Sequence, residues 1–298
     1  MNYRHAFHAG NFADVVKHAV LARILVHLRA KPAAFRIIDT HAGAGRYDLT
    51  GAEASRTGEW RDGIARLLAA HLAPEVDTLL APYRDVVATL NPDGELRVYP
   101  GSPEVARASL RPHDRLVACE LEPNAARALM HNVARDERVK AVVIDGWTAL
   151  VAYVPPKERR GVVIIDPAFE APDETTRMAD CFAAAYRKWP SGIYLLWYPI
   201  KQRHAPNALA RELKRLAIRK LLRAEITVAA PSDLDRLTGC GLVIANPPWM
   251  LERELAVLSR RSRPSSRATA APLRGSSGSP AKSDGRRPSP LSSAPAFV

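Results

Sequence analysis

The amino-acid sequence predicts an α/β protein whose sheet is mostly parallel and covered by helices on both faces. Three observations lead to this prediction. Five short runs rich in Val, Ile and Leu each end near a polar residue or proline, helical patterns separate most of them, and two further apolar runs follow without a helix between them. Short apolar runs are typical of buried parallel strands, and their alternation with helices is typical of an open sheet.

The predicted parallel strands are residues 35–39, 115–120, 139–145, 161–166 and 192–199. Helical patterns lie between them, for example at 123–134 and 173–188. The runs at 219–228 and 241–249 are separated by a polar loop that contains glycine, which predicts an antiparallel hairpin. The sheet is therefore expected to be mixed and to have seven strands.

The interval between the first two strands is too long for a single connection. Residues 46–114 contain two helical patterns, near 58–71 and 76–90. We interpret this interval as a small helical insertion subdomain. The main domain is then expected to consist of residues 1–45 and 115–258.

Positive charge is unevenly distributed along the 298 residues. The formal net charge is +12, but residues 259–298 hold eight Lys or Arg against Asp284 alone, so residues 1–258 carry only +5. Excess positive charge favours a polyanionic partner, nucleic acid before a membrane surface. The tail at 259–298 also contains eleven Ser and six Pro, a composition that predicts disorder.

The cysteines and the N-terminus indicate a cytoplasmic protein. Cys119, Cys181 and Cys240 are far apart and follow no disulfide or zinc spacing, so we expect reduced thiols. The first residues have no apolar leader segment, and no apolar run is long enough to cross a bilayer.

A glycine-containing turn follows the first predicted strand, in the order Asp39, Thr40, His41, Ala42, Gly43, Ala44, Gly45. Glycines allow the backbone to approach a nucleotide-like ligand closely. The full GxGxxG pattern is absent, because His41 takes the place of its first glycine. Gly43 and Gly45 are candidate cofactor-binding residues, and a plain strand-to-helix turn is the alternative.

Acidic residues end the next two predicted strands. Glu120 closes the second strand, where an open α/β fold places an acid that accepts ribose hydroxyls. Asp145, followed by Gly146, closes the third, where an acid can accept from an adenine amino group or approach a sulfonium. An acid at a strand end is more often simply solvated. However, the glycine-containing turn, Glu120 and Asp145 all lie at the same edge of the predicted sheet, which predicts a nucleoside-binding crevice there.

The fourth strand ends in Asp166, Pro167, Ala168 and Phe169. Enzymes that methylate an exocyclic amine carry an (Asp/Asn)-Pro-Pro-aromatic loop at this place. The lone pair of such an amine is delocalised into the ring, and a carboxylate with a carbonyl that accept its N–H groups make it more nucleophilic. Asp166 and the Pro167 carbonyl are the predicted acceptors, and Phe169 is predicted to stack on the base. A proline-terminated strand with a buried Phe is the alternative.

A rival loop, Asn246 to Trp249, matches the amine-methylating pattern better as a sequence, since it reads Asn-Pro-Pro-Trp. It ends the last hairpin strand, which is expected to run antiparallel to the others. Its end then emerges at the opposite edge of the sheet from the crevice. We interpret this loop as structural.

The N-terminal segment is rich in aromatic and basic residues. Asn11, with Asp14 three positions later, is typical of a helix N-cap, and an apolar helical pattern follows. His5, His8 and His18 lack a metal-ligand spacing, so no metal site is predicted. Tyr3 and Arg4 favour contact with RNA, through stacking and phosphate binding.

Several of these motifs together resemble the RlmJ family of bacterial 23S ribosomal RNA adenine-N(6) methyltransferases. They are YRHAFHAGNFADVVKH, DTHAGAGRYDL, YPGSP, DPxFE, LWYP and NPPW, spread from about Met1 to Leu258. The resemblance implies a Rossmann-like class I methyltransferase domain and the cofactor S-adenosyl-L-methionine. It implies cofactor contacts at His18, His41, Ser102, Glu120, Asp145, Gly146 and Asp166. It also implies catalysis by Asp166, Tyr3 near the target adenine, and action on ribosomal RNA without an obligate protein partner.

The sequence departs from the family pattern in two places. Ala168 replaces the usual second proline of the loop, and the tail from about Ser259 has no family counterpart. Two alternatives stay open: a DNA adenine methyltransferase, for which no segment is large enough as a target-recognition domain, and a non-catalytic ribosomal-RNA-binding relative, against which Asp166, Pro167 and Phe169 argue.

Overall fold

The computed structural model describes residues 4–201, 204–216, 218, 220–229 and 237–259. The strands are β1 (Arg36–Asp39), β2 (Arg46–Asp48), β3 (Val98–Pro100), β4 (Arg115–Glu120), β5 (Val139–Val143), β6 (Gly161–Ile165), β7 (Ile193–Ile200), β8 (Leu221–Thr227) and β9 (Gly239–Ala245). The α-helices are α1 (Phe12–Arg29), α2 (Ala52–Thr57), α3 (Ile64–Ala69), α4 (Pro74–Leu90), α5 (Ser102–Ala108), α6 (Pro123–Val133), α7 (Gly146–Ala152), α8 (Glu174–Lys188), α9 (His204–Arg215) and α10 (Leu251–Leu258). Single 3-10 turns lie at His5–Phe7 and Glu59–Arg61.

Seven strands form one mixed sheet, in the order β5-β4-β1-β6-β7-β9-β8. The first five of these run parallel, while β9 is antiparallel to both β7 and β8. This is an α/β Rossmann-like fold, and the predicted antiparallel hairpin is confirmed. The strand order reverses between β1 and β6, the position at which open α/β sheets bind their ligands.

The central part of the sheet is buried because helices cover both of its faces. Every residue of β6 and β9 is buried. One core cluster lies on the face covered by α1, with Leu21, Ile24 and Leu25 inaccessible to solvent. A second cluster lies on the other face, around Phe182 of α8 and Tyr194 of β7. Two buried faces explain why these strands read as continuous apolar runs.

The interval 46–114 differs in detail from the predicted helical insertion. It contains a two-stranded antiparallel sheet, β2 with β3, beside its helices. The helix expected near 58–71 is divided into a 3-10 turn and α3, because the backbone of Gly63 packs directly on Gly10 and Asn11, with no room for a Cβ atom. Tyr83 and Tyr99 of this interval belong to the same core cluster as α1.

Three further predictions concern the ends of the chain, membrane-spanning helices and the cysteines. Tyr3 and residues 260–298, including nearly all of the predicted tail, lie outside the described residues. In the part of the chain that is described, no helix is both long and apolar enough to span a membrane. The three cysteines are free thiols, with Cys119 and Cys240 buried and Cys181 partly buried.

Candidate active site

A cleft of about 1350 Å³ opens at the carboxyl edge of the parallel strands. The loops that follow β1, β4, β5 and β6 line its floor, and the first turns of α1 form one wall. Residues 4–11 precede α1 and are called the arm below. The arm lies along the rim of the cleft, and five of its residues line the cleft. The predicted crevice is therefore present as a physical cavity.

The glycine-containing turn after β1 adopts a conformation that favours glycine. Gly43 and Gly45 have positive φ angles of 61° and 77°, which cost little only without a Cβ atom. Gly43 lines the cleft. Gly45 shapes the turn from behind, where its carbonyl accepts from the Gly101 amide at 2.8 Å.

Glu120 braces this turn from the end of β4. Its Oε2 accepts from the Gly43 amide at 2.8 Å, and its Oε1 accepts from the amides of Leu121 and Glu122, also at 2.8 Å. Three backbone donors hold the carboxylate in one orientation at the floor of the cleft. Such a fixed acceptor is suited to a polar ligand group such as a ribose hydroxyl.

Asp145 and Gly146 form the start of α7. Asp145 Oδ2 caps the helix by accepting from the amide and hydroxyl of Thr148, at 2.9 and 3.0 Å. A Cβ atom on Gly146 would collide with the Thr40 carbonyl and the His41 ring. The absence of a side chain lets these two loops meet at the floor of the cleft. Burial lowers the pKa of His41 to about 4, so its imidazole is neutral at physiological pH.

Beside this junction, an aromatic wall is held by polar contacts. The Trp147 ring lies edge-on to His41 at 5.0 Å between centroids, and its Nε1 donates to Glu174 at 3.1 Å. The Arg177 guanidinium lies over the Trp147 ring, 5.5 Å from its centroid. Trp147, Glu174 and Arg177 all line the cleft, yet no sequence motif singled them out.

The Asp166 carboxylate does not lie alone in the cleft. Its Oδ2 accepts a hydrogen bond from Lys17 Nζ of α1, and Lys17 is also 2.9 Å from Asp14 Oδ1. The side chains of Lys17 and Asp14 are only 5% and 4% exposed, and that of Asp166 is 15% exposed. One buried ammonium therefore bridges two carboxylates, which keeps Asp166 in a fixed position.

Electrostatics maintain the charges of this cluster. Burial by itself lowers the pKa of Lys17, but the Asp14 and Asp166 carboxylates outweigh it and hold that pKa well above its usual value. Burial likewise raises the pKa of Asp14, but His5 and Lys17 outweigh it and hold that pKa well below its usual value. Lys17 is therefore a cation, and Asp14 an anion, throughout the physiological pH range.

His18 is completely buried one position further along α1. Its Nδ1 lies 2.8 Å from the Tyr99 hydroxyl, which in turn lies 2.9 Å from the Tyr83 hydroxyl. Burial, helped by the charge of Lys17, lowers the pKa of His18 to about 3. Its Nε2 is buried without a hydrogen-bond partner among the described residues, although His18 lines the cleft. A buried polar atom in this state is suited to pairing with a ligand.

Asp39, at the end of β1, is a second buried group of this kind. Neither carboxylate oxygen has a well-aligned hydrogen bond within the described chain, and the Ser102 hydroxyl and the His41 amide are its nearby donors. Burial raises the pKa of Asp39 to about 7, and the nearby Ser102 hydroxyl offsets only part of that rise. Ser102 itself is buried at the start of α5 and lines the cleft.

The loop after β6 presents an aromatic ring to the cleft. Phe169 has a φ angle of 52°, which is uncommon for a residue with a bulky side chain. Its ring meets Trp197 of β7 edge-on, with 5.7 Å between centroids. Pro167 and Ala168 line the cleft beside it. Backbone strain of this kind is concentrated at functional sites, where neighbouring groups hold it in place.

The rival loop lies at the opposite edge of the sheet. Ala245, which precedes Asn246, pairs with Tyr194 at the start of β7, so the chain leaves β9 at the amino edge of the parallel strands. The Asn246 side chain donates to the carbonyls of Pro190 and Gly192, both at 2.7 Å. These contacts support the structural interpretation of this loop.

The predicted site residues are therefore brought together with few exceptions. The following line the cleft: Arg4, His18, His41, Gly43, Ser102, Glu120, Asp145, Gly146, Asp166, Pro167 and Phe169. Gly45 lies behind the turn, and Tyr3 is outside the described residues. Sequence reasoning missed Lys17; the only available signal was a charged pair, Asp14 and Lys17, on the otherwise apolar start of a helix. No group of three His, Cys, Asp or Glu residues suited to a metal ion occurs within the described ranges.

Comparisons with known proteins show which proteins the chain is similar to. A family model described as "Ribosomal RNA large subunit methyltransferase D, RlmJ" matches residues 32–260. Two curated relatives named Ribosomal RNA large subunit methyltransferase J, from Escherichia coli K12 and Haemophilus influenzae, are each 40% identical to the chain and cover 86% of it and 90% of their own length. The crystal structure of a Legionella pneumophila protein is 32% identical, with a TM-score of 0.75, and covers 84% of this chain and 91% of its own.

Proposed function

The chain belongs to the RlmJ family of ribosomal RNA large subunit methyltransferases, and we propose that it methylates the exocyclic amine (N6) of an adenine in 23S ribosomal RNA. S-adenosyl-L-methionine is the methyl donor. The observation that carries the proposal is the position of Asp166: a carboxylate followed by Pro167, fixed by Lys17, at the floor of a cleft large enough for a cofactor and a base.

We assign the activation of the amine to Asp166 and to the Pro167 carbonyl. Lys17 occupies Asp166 Oδ2, which leaves Oδ1 to accept one N–H of the incoming amine. The Pro167 carbonyl accepts the other N–H. Two acceptors draw the amine toward a tetrahedral geometry, so that its lone pair leaves conjugation with the ring and becomes nucleophilic. The proton released by the methylated amine passes to the Asp166 carboxylate or to solvent.

The cleft fits S-adenosyl-L-methionine by the chemistry of its donor and acceptor groups. The unpaired buried Nε2 of His18 suits a polar group of the cofactor, and the Glu120 carboxylate suits its ribose hydroxyls. Gly146 lines the cleft where its lack of a side chain lets the His41 loop approach. We assign cofactor binding to these residues together with His41, Gly43, Ser102, Asp145 and Asp166. When bound, the cofactor supplies a methyl group activated by a positive sulfonium.

The substrate side of the site is assigned to the loop after β6 and to the arm. Phe169 stacks on the target base, and its strained backbone and its edge contact with Trp197 fix the plane of the ring. Arg4 lies at the rim and forms an exposed ion pair with Glu53. When RNA binds, Arg4 leaves Glu53 and contacts an RNA phosphate instead. Tyr3, adjacent to it, is assigned to the target adenine.

We further propose that the enzyme acts in the cytoplasm on ribosomal RNA that carries few proteins, without an obligate protein partner.

Transfer of a labelled methyl group from S-adenosyl-L-methionine to purified 23S ribosomal RNA tests the proposal. We expect label in N6-methyladenine at one position of the naked RNA, less label with assembled large subunits, and none with duplex DNA. Label in DNA would support a DNA adenine methyltransferase. Cofactor and RNA binding without transfer to any substrate would identify a non-catalytic relative instead.

A further inference from the structure

The arm is tied to the interval 46–114 by one carboxylate. Glu59, in the 3-10 turn between α2 and α3, lies 3.0 and 3.1 Å from His8 Nδ1 through its two oxygens. Its Oε2 also accepts from Asn11 Nδ2 at 3.0 Å. Burial raises the pKa of Glu59, but the hydrogen bonds from His8 and Asn11 outweigh it and hold that pKa below its usual value. Glu59 is therefore an anion shared by two residues of the arm.

Asn11 uses both ends of its amide group. Its Nδ2 donates to Glu59, while its Oδ1 caps α1 by accepting from the amides of Ala13 and Asp14, at 2.9 and 3.0 Å. The side chain is almost completely buried. A residue with acceptors alone can cap the helix but cannot donate to Glu59. The choice of Asn at this position is therefore explained by Glu59 and not by capping, for which Asp serves equally well.

Backbone contacts place the arm in a single register against the same interval. The Ile64 amide donates to the Gly10 carbonyl at 2.9 Å, and the Thr57 hydroxyl donates to the Phe7 carbonyl. On the other side, Asp14 of α1 accepts from the Gly10 amide at 3.0 Å and lies 2.9 Å from His5 Nε2. The arm is thus held between α1 and the interval 46–114, with its side chains along the rim of the cleft.

We propose that Glu59 is a positioning residue for the RNA substrate: through Asn11 and His8 it fixes the arm along the substrate side of the cleft. It does not touch the reacting atoms. This inference rests on the proposed function, since it names what the arm is positioned to bind. It also gives the interval 46–114 a role, which is to hold the substrate-binding arm in place.

The contacts separate RNA binding from cofactor binding and chemistry. Helix α1 is anchored by Leu21, Ile24 and Leu25, which are inaccessible to solvent. Lys17 therefore keeps its place beside Asp166 when the cap at Asn11 changes. We expect loss of the Glu59 contacts to raise KM for RNA, while kcat at saturating RNA and the Kd of S-adenosyl-L-methionine stay within about twofold of wild type.

A double-mutant cycle tests the inference. Asn11→Asp keeps an acceptor for the helix cap but sets two carboxylates against each other, and we expect KM for 23S ribosomal RNA to rise about tenfold. Glu59→Gln alone is expected to raise it by a smaller factor. In the double variant the hydrogen-bond donor is at position 59 and the acceptor is at position 11. Its KM for the RNA is expected to lie within about twofold of wild type. Glu95→Gln, an exposed acid of the same interval, is the control for charge and should have no effect.

Two outcomes would overturn the inference. One is a KM within twofold of wild type in Asn11→Asp; the other is a double variant as impaired as Asn11→Asp alone. Hydrogen exchange of the arm amides, measured without RNA, is expected to accelerate in Asn11→Asp and to recover in the double variant. If the wild-type protein transfers no methyl group, the proposed function fails; the exchange data then still decide whether Glu59 fixes the arm.

Discussion

At the scale of single residues, buried charge organises this site. Lys17 connects two carboxylates from distant parts of the chain, Asp14 on its own helix and Asp166 at the end of β6. Removing one partner of such a buried cluster leaves an uncompensated charge, which is costly. The arrangement therefore fixes the Asp166 carboxylate more rigidly than the loop alone could. Nothing in the sequence relates position 17 to position 166, because that relation arises only from the packing of α1 against the sheet.

Asp39 gives a prediction with a defined pH dependence. Its pKa is raised by burial to about 7, against about 3.9 in an unfolded chain. Between these two pH values Asp39 keeps its proton in the folded protein but has lost it in the unfolded chain. The destabilisation of the folded protein by Asp39 therefore increases as the pH rises to about 7 and is constant above that pH. Asp39→Asn is therefore expected to increase the free energy of unfolding of the cofactor-free protein by about 4 kcal/mol more at pH 8 than at pH 4. Urea unfolding at both pH values measures this, and an equal effect at the two would contradict it.

Ala168 gives a prediction about rate. A proline restricts the residue before it to extended angles, so Pro167 restrains Asp166, but Ala168 does not restrain Pro167 and its carbonyl. Among the described residues, the Ala168 amide makes no backbone hydrogen bond that a proline would remove. Misdirecting one acceptor costs about 1–3 kcal/mol of transition-state stabilisation. Ala168→Pro is expected to raise the single-turnover rate about tenfold with unchanged cofactor affinity. A folded but slower variant would mean that the strained backbone at Phe169 requires alanine before it.

At the scale of elements, strand direction decides which of two similar loops reaches the cleft. Two loops resemble the amine-methylating motif, and the one that departs from it by Ala168 lies in the cleft, while Asn246 and its prolines lie at the opposite edge. This outcome could be predicted, because apolar runs and intervening helices determine which strands are parallel. The β2–β3 pair could not: each strand has only three residues, and their pairing depends on how the interval 46–114 folds back.

The structural role of the rival loop can be tested by Asn246→Ala. The substitution removes two hydrogen bonds to the Pro190 and Gly192 carbonyls and leaves alanine at a φ angle of 52°, which asparagine tolerates better. We expect the free energy of unfolding to fall by about 1–3 kcal/mol, while methyl transfer per folded molecule stays at the wild-type level. Loss of transfer in a folded Asn246→Ala protein would place this loop in the reaction.

At the scale of the whole molecule, the charges of the cleft differ from those of the chain. The chain carries +12 in total. Among the described residues that line the cleft, however, eleven are Asp or Glu and six are Lys or Arg. An acidic cleft suits a positively charged cofactor and a neutral base, but it repels phosphates. RNA affinity is therefore expected to come mainly from the arm at the rim of the cleft and from the basic residues of 259–298.

We propose that Asp166 acts on the target amine and not mainly on the cofactor. Asp166→Ala, with Asn246→Ala as the matched control, tests it by two measurements on the same proteins: single-turnover methylation of 23S ribosomal RNA and calorimetric binding of S-adenosyl-L-methionine. We expect Asp166→Ala to reduce methyl transfer by about a thousandfold or more while cofactor affinity changes by no more than a few-fold. Methyl transfer that persists in Asp166→Ala, or a loss fully explained by weaker cofactor binding, would show that Asp166 does not activate the target amine.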